Sequence, residues 1–334
     1  MRYVFHRVAG GALILLGVSL VAFLVPALNT SPLALFAAAH ANSHGVTASS
    51  IDSWIHAHGF DQPLWLQYWH WLLGALHGSF GVAYGESNIY PHHEVSVATV
   101  VRGDLWRTVW LVVPPTVVSV LVAIAIGLSQ AVRRNRLYDH VMTAGAFVTY
   151  STPTFFVCTV LSCYIGLKHL GTASVDPAFQ GVPPSQIPSY IIDHFRQFFL
   201  PYVAIMLLSV GALTRFTRGL AVQASGKAYV RTAQAKGVGP WRVLFGHVLR
   251  PTVIPLIPII GLTLPVVLSG AVVVEAIFNF PGLGAETFRS AERGDFSVVR
   301  ATVFLAAVLI VAWNLVAHVC TAMADPRVRR PPVR

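Results

Sequence analysis

Residues 228–251 read AYVRTAQAKGVGPWRVLFGHVLRP, and the rest of the chain is best read outward from them. The stretch lies between two strongly apolar segments, yet it carries Arg231, Lys236, Arg242 and Arg250 and no acid. Two short helical patterns meet at Gly237-Val238-Gly239-Pro240, a run of helix breakers. After the break Trp241, Leu244, Phe245 and Val248 repeat at i, i+3, i+4 and i+7, the template of one apolar helix face. Arg242, His247 and Arg250 fall off that face. The reading is a basic, amphipathic, glycine-broken hairpin lying on a membrane surface.

Composition agrees with a membrane setting. The chain has 334 residues, 55% of them hydrophobic and only 11% charged, with a mean hydropathy of +0.64. A soluble domain carries about 25% charged residues. The net charge of +10 does not form one patch interleaved with stacking aromatics, as nucleic-acid binding would require. The three cysteines, Cys158, Cys163 and Cys320, lie in or beside apolar runs and offer no disulfide framework or zinc spacing.

Arg2 and Arg7 precede an apolar run over 8–28. At about 20 residues it exceeds a signal-peptide core and suits a retained first span. Further spans are expected over 105–132, 141–167, 198–213, 252–274 and 301–319, the fourth being the shortest. If the amino terminus is inside, the inside segments are 1–7, 133–140, 214–251 and 320–334. They hold 16 of the 23 Lys and Arg but only Asp139 and Asp325 of the 13 acids. That asymmetry is the positive-inside rule. It puts both termini, and residues 228–251, in the cytoplasm.

The longest outer segment, 29–104, holds Trp54, Trp65, Trp69 and Trp71. Trp65, Trp69, Leu72 and Leu76 share helical spacing, which predicts an interfacial helix in a small cap. Trp106 and Trp110 suit an aromatic belt at the outer end of the second span. The second outer loop, 168–197, is rich in proline and serine.

Several kinds of chemistry are missing. The spans are nearly free of the ionisable residues that carry coupling charge in ion-driven carriers. Gly226-Lys227 resembles the end of a P-loop, but Ala228 replaces the Ser or Thr and Ala221 the first Gly. His56/His58 and His92-His93-Glu94 lack the spacing of a helical zinc site, and no G-x-S-x-G elbow is present. Proline at 114, 115, 153, 255, 258 and 265 implies kinked spans. Span five, with Gly261, Ser269 and Gly270, is a candidate for the lining of a moving pathway. A chain with this scaffold and no energy source of its own needs a partner that supplies one.

The residues then resemble, over nearly the whole length, a permease subunit of the bacterial peptide-type ABC importers. This is the dipeptide, oligopeptide and nickel family, and the chain is most similar to the first of its two permeases. Tyr229 to Gly237, then His247, Leu249, Arg250 and Pro255, resemble that family's form of the EAA coupling loop, with Arg231 where the general motif has Glu. Val274 to Gly284 resembles the turn after span five, Asp295 to Val299 the entry to span six, and Asp325 to Arg329 the tail. Phe60 to Leu64, with Gln67 and Tyr68, resembles the first outer segment. Gly246 and Pro251 replace an expected Arg and Asn. Val25 to Asn29 lacks the expected Pro-Gly-Asp-Pro, and Gly78-Ser79-Phe80-Gly81 lacks an Asp.

The resemblance implies an all-α integral membrane protein with the six transmembrane helices of the type I ABC importer permease fold. Its parts would be 1–28 (first span), 29–104 (cap) and 105–334 (core), with the coupling loop within 214–251. It implies a non-enzymatic subunit forming half of a peptide pathway by alternating access. Import of nickel, haem or another small ligand is the alternative, and ion-coupled secondary transport a more distant one. Implied partners are a second permease, two ATPase subunits or domains, and an extracytoplasmic substrate-binding protein. No cofactor is expected on this chain; ATP and Mg belong to the ATPases. The expected coupling residues are Arg231, Thr232, Ala233, Lys236, Gly237, Trp241, Arg242, Phe245, His247 and Arg250. Ser209, Thr263, Ser269, Glu275 and Asn314 are the candidates for the pathway.

Overall fold

The computed structural model describes residues 2–29, 48–57, 59–83, 95–170 and 174–324. Helix α1 spans Arg2–Asn29, α2 Ala48–Ala57 and α3 Leu64–Leu76. Strands β1 (Val82–Ala83) and β2 (Val95–Ser96) pair antiparallel and are the one departure from an all-α architecture among the described residues. Then come α4 (Val97–Val132), α5 (Leu137–Ser151) and α6 (Thr154–Val160), which runs on as π-helical turns over Leu161–Leu170. Helix α7 is Ile187–Asp193, α8 Phe195–Ser225, α9 Ala228–Ala235 and α10 Pro240–Val243. A π-helical turn, Leu244–Val248, joins α10 to α11 (Leu249–Ile277); α12 (Leu283–Arg293) and α13 (Phe296–Ala324) complete the order.

Five of these helical segments are long and apolar enough to cross a membrane, and α5 with α6 makes a sixth if the pair is one broken span. The two halves meet at 103°. The break lies at Thr152-Pro153. Thr152 is extended (φ −80°, ψ 127°), because the proline ring excludes the helical conformation from the residue before it. The pair still joins the two ends of the bundle. At one end the Tyr138 and Ser129 hydroxyls are 2.8 Å apart, beside the last turn of α4. At the other, Cys158 and Leu161 pack with Leu111, Phe179 and Phe198.

Two span boundaries need correction. The second span starts at Val97, eight residues before the expected position, because Val97 and Val101 are buried against Leu283, Val298 and Ala301. The fourth, expected to be the shortest, is a 31-residue helix. Arg215 and Arg218 look like an exit from the membrane in sequence, yet each has a partner. The Arg215 guanidinium lies 4.1 Å from the centroid of the Phe147 ring, and Arg218 pairs with Asp139.

Close helix approaches use small residues, as expected where lipid supplies no hydrophobic drive between helices. A Cβ at Gly127 would sit 2.6 Å from Thr217 Cβ, so α4 and α8 touch almost backbone to backbone. Gly211 does the same for α8 and α5, 2.7 Å from the Ala146 carbonyl, and Gly261 for α11 and α13, 2.5 Å from Ala317 Cβ. On α3 the predicted stripe divides. Trp65, Trp69 and Leu76 are open, whereas Leu72 is buried and Trp71 lies edge-on to Phe304 of α13 at 5.7 Å. An open aromatic side is what an interfacial helix presents to headgroups.

His56 pairs with Asp61 at 2.7 Å. His58, His92, His93, Glu94 and the 325–329 tail lie outside the described residues.

Candidate functional site

Residues 228–251 fold as a helix, a turn and a second helix that flows into α11. Helix α9 ends in a Schellman motif. Gly237 adopts φ +78°, the Gly237 N–H donates to the Gln234 carbonyl at 2.9 Å, and the Val238 N–H to the Ala233 carbonyl at 3.2 Å. Glycine suits this position because a left-handed backbone strains any residue with a Cβ. Val238 then packs into the apolar cluster that holds Ala233, the hydrophobic contact this motif commonly brings. Pro240 opens α10 at its first position, where its missing N–H costs nothing.

The second helix corrects the expected apolar face. Leu244 and Val248 are buried, with Val243, against Val230 of α9, Leu128 of α4 and Ala221 and Ala224 of α8. Trp241 and Phe245 point the other way, 67% and 58% exposed, with their rings stacked on each other at 6.1 Å and 16°. The π turn changes the phase: the Leu249 N–H donates to the Leu244 carbonyl five residues back. Pro251, which has no N–H for the His247 carbonyl, follows at once. The wider turn rotates later side chains away from a 3.6-residue pattern.

The outer surface of the hairpin therefore presents the stacked Trp241 and Phe245 among Arg231, Lys236, Arg242 and Arg250, all exposed. Thr232 and Gly237 are exposed too, His247 is half-buried, and Ala233 is buried. Ala233 and Val248 thus belong to the inner cluster that seats the hairpin, and not to its free surface.

Behind the hairpin a polar network ties the ends of three helices. The Arg218 Nε and NH2 donate to the Asp139 Oδ1 and Oδ2 at 2.6 and 2.7 Å. Asp139 also accepts from the Asn135 N–H at 3.0 Å. Gln130 Nε2 lies 3.2 Å from the Asp139 carbonyl oxygen and 3.1 Å from Thr143 Oγ1. This joins α4, α5 and α8 next to α9. Sequence reading missed it because Asp139 and Arg218 are 79 positions apart and neither stands in a local motif.

The candidate pathway residues do not form one open surface. Ser209 is buried and turned to the Ile205 and Met206 carbonyls of its own helix, each at 3.4 Å. Thr263 donates to the Ile259 carbonyl at 3.0 Å and is half-buried, as is Asn314. Ser269 lies on an exposed α11 stripe with Leu262 and Val266.

Glu275, also a pathway candidate, caps a helix. It accepts from Thr108 Oγ1 at 2.7 Å and from the Ala285 N–H at 2.9 Å, at the start of α12. Thr108 Oγ1 in turn accepts from the Leu283 N–H at 2.7 Å. A carboxylate at a helix N-terminus satisfies first-turn N–H groups and meets the positive end of the dipole. A Cβ on Gly282 would fall 2.2 Å from Glu275 Oε1. Gly282→Ala is therefore expected to displace the carboxylate and lower stability by about 2 kcal/mol for the N–H groups left unpaired. Thermal unfolding in detergent would check this, with Gly219→Ala, where nothing lies within 4 Å of the new Cβ and alanine suits a helix interior better than glycine, as a comparison expected to lose no stability.

Two family models together match nearly the whole chain. Residues 123–330 match the model described as binding-protein-dependent transport system inner membrane component. Residues 1–120 match its N-terminal companion. The chain is 31% identical over 330 residues to the glutathione transport system permease protein GsiC of Salmonella typhimurium, covering 98% of this chain and 99% of that one. It is 29% identical over 331 residues to the oligopeptide transport system permease protein AppB of Bacillus subtilis, covering 98% of both. It is likewise 29% identical over 292 residues to the dipeptide transport system permease protein DppB of Escherichia coli K12, 81% of this chain and 83% of that one.

Proposed function

The chain belongs to the family of binding-protein-dependent transport system inner membrane components, and from that premise we propose that it forms half of the pathway of an ATP-driven peptide importer. It is a transport subunit of a multi-pass membrane system. The relatives described above are named for oligopeptide, dipeptide and glutathione transport; glutathione is itself a small peptide, so the three agree on substrate chemistry. In this reading a second related permease completes the pathway. Two ATPase subunits or domains bind ATP and Mg and carry out hydrolysis, and an extracytoplasmic binding protein delivers the peptide.

The observation that carries the proposal is the free surface of residues 228–251. Four exposed cations and two exposed stacked aromatics stand on a hairpin whose other side is fixed to α4 and α8. Aromatic rings with arginine are the residue types that dominate protein interfaces. The hairpin runs unbroken into α11, so a push on it would move that helix as a lever. Closure of the ATPase pair on ATP would rock the spans between inward-open and outward-open states. The charge asymmetry of the sequence favours a cytoplasmic hairpin and cytoplasmic termini.

Co-purification tests this directly. The chain is expected to bring down a second permease and two ATPase subunits, and peptide uptake by the reconstituted complex is expected to need ATP and the binding protein. A monomeric chain that transports on an ion gradient alone would remove the proposal. Gly237→Val should assemble yet lose most coupled uptake. A Cβ at this position meets no neighbour within 4 Å, so the main cost is the left-handed backbone, on the order of 1–2 kcal/mol. That strain would release the turn that aims Trp241.

A further inference from the structure

At the end of the bundle away from residues 228–251 a recess of about 650 Å³ opens between the first turns of α4, the 180–185 loop and α12. Six charged side chains line it: Arg102, Asp104, Arg107, Glu286, Arg289 and Arg293. Its deep wall is a buried ion pair. Arg107 NH1 donates to Asp104 Oδ1 at 2.7 Å, with the two residues 5% and 3% exposed. Arg107 also donates to the Gln180 carbonyl, and its guanidinium lies 5.8 Å from the centroid of the Phe179 ring, which pins the outer loop to α4. Its Nε has no hydrogen-bond partner. Glu286 is shared by Arg293 at 3.3 Å and Arg289 at 3.8 Å.

Four arginines thus face two carboxylates, and both carboxylates are already engaged by Arg107, Arg289 and Arg293. The recess keeps an excess of two positive charges, with Arg102 exposed at its edge. One turn along α4 from Asp104, the buried Thr108 is bonded to Glu275 and to the start of α12. The walls of the recess are thus tied to one another.

We propose that this recess receives an acidic segment of the binding protein, whose carboxylates enter between Arg102 on one side and Arg289 and Arg293 on the other. The proposal rests on the importer reading above, which puts this end of the bundle outside the cell. The excess of positive charge selects a carboxylate-bearing partner, and arginine offers the planar paired donors that match one. α12 forms one wall and is capped through Glu275 and Thr108, and Thr108 belongs to α4. A docked segment would therefore bear on two of the elements that frame the outer end of the pathway.

The test uses the full complex in phosphatidylcholine nanodiscs, with the binding protein titrated against ATPase rate. Arg102→Glu/Arg289→Glu is expected to raise the half-saturating concentration of binding protein at least tenfold in low salt. The gap between variant and wild type should shrink in 0.5 M salt, where screening shortens the reach of such charges. Arg102→Lys/Arg289→Lys, which keeps the charge, should stay within about threefold of wild type, and Arg102→Glu alone, at an exposed position, should show a smaller shift in the same direction. An unchanged half-saturating concentration in the double Glu variant overturns the docking proposal. So does an equal loss in the Lys variant, or a shift that appears only after anionic phosphatidylglycerol is added, which would assign the recess to lipid headgroups. A wild-type complex whose ATPase ignores the binding protein overturns the importer reading itself, and the docking proposal with it.

Discussion

A chain carrying Trp241→Ala and Phe245→Ala is expected to fold and to pair with its second permease, but to lose its ATPase subunits on purification. The two rings are 67% and 58% exposed and stack on each other, so removing them takes little from the fold. At an interface, paired aromatic anchors are worth about 2 kcal/mol or more each, with non-additive sums. Affinity for the ATPase is therefore expected to fall by about 100-fold, and ATP-coupled uptake with it. Leu244→Ala provides the contrast. Leu244 is buried with Val230 and Leu128, so its truncation should cost about 2–4 kcal/mol of stability. Retained ATPase and normal coupled uptake in the Trp241/Phe245 double variant would show that the hairpin's open surface is not where the motor binds.

Arg218→Ala is expected to be the most damaging single change to the fold near the hairpin. It strips a carboxylate that is 1% exposed of both of its guanidinium bonds, leaving the Asn135 N–H and Gln130. Breaking a buried pair by removing one partner costs about 3–5 kcal/mol. The Arg218 side chain is 31% exposed, so about 3 kcal/mol is the better figure, near a 6 °C fall in apparent Tm for a chain of this size. Adding Asp139→Asn should recover part of the loss, since it removes the orphaned charge. Thermal unfolding of both singles and the double gives the coupling. A double variant no more stable than Arg218→Ala would mean that the pair does not hold these helix ends together.

Neither the hairpin's open face nor the ion pair behind it could be read from a single segment. The Gly237 turn was legible, because a helix pattern that stops at glycine and restarts at proline has few other meanings. The face was not: a 3.6-residue wheel groups Trp241 with Val248, and the π turn over Leu244–Val248 comes between them and changes the phase. Hydropathy alone starts the second span at 105, directly after Asp104. In the fold Asp104 and Arg107 neutralise each other, and α4 runs through them. Glu275 looked like a lone acid beside a pathway until α12 folded back to place its first N–H groups on that carboxylate.

What the sequence determined by itself was the membrane setting, six apolar runs, a proline kink in the third at Pro153, the sidedness of charge and the turn at Gly237. Each is a sum over neighbours along the chain, so hydropathy, charge bias and backbone preference suffice to read it. Only the tertiary structure decided which way Trp241 and Phe245 face, that Arg218 meets Asp139, that Glu275 caps α12, and that four arginines from α4 and α12 line one recess. Those depend on the rotation of each helix about its axis and on groups 10 to 191 residues apart. The physical reason is that buried polar groups must find partners wherever packing brings them. Packing is settled by the close approach of small residues between helices, as at Gly127 and Gly211, and no run of adjacent residues records it.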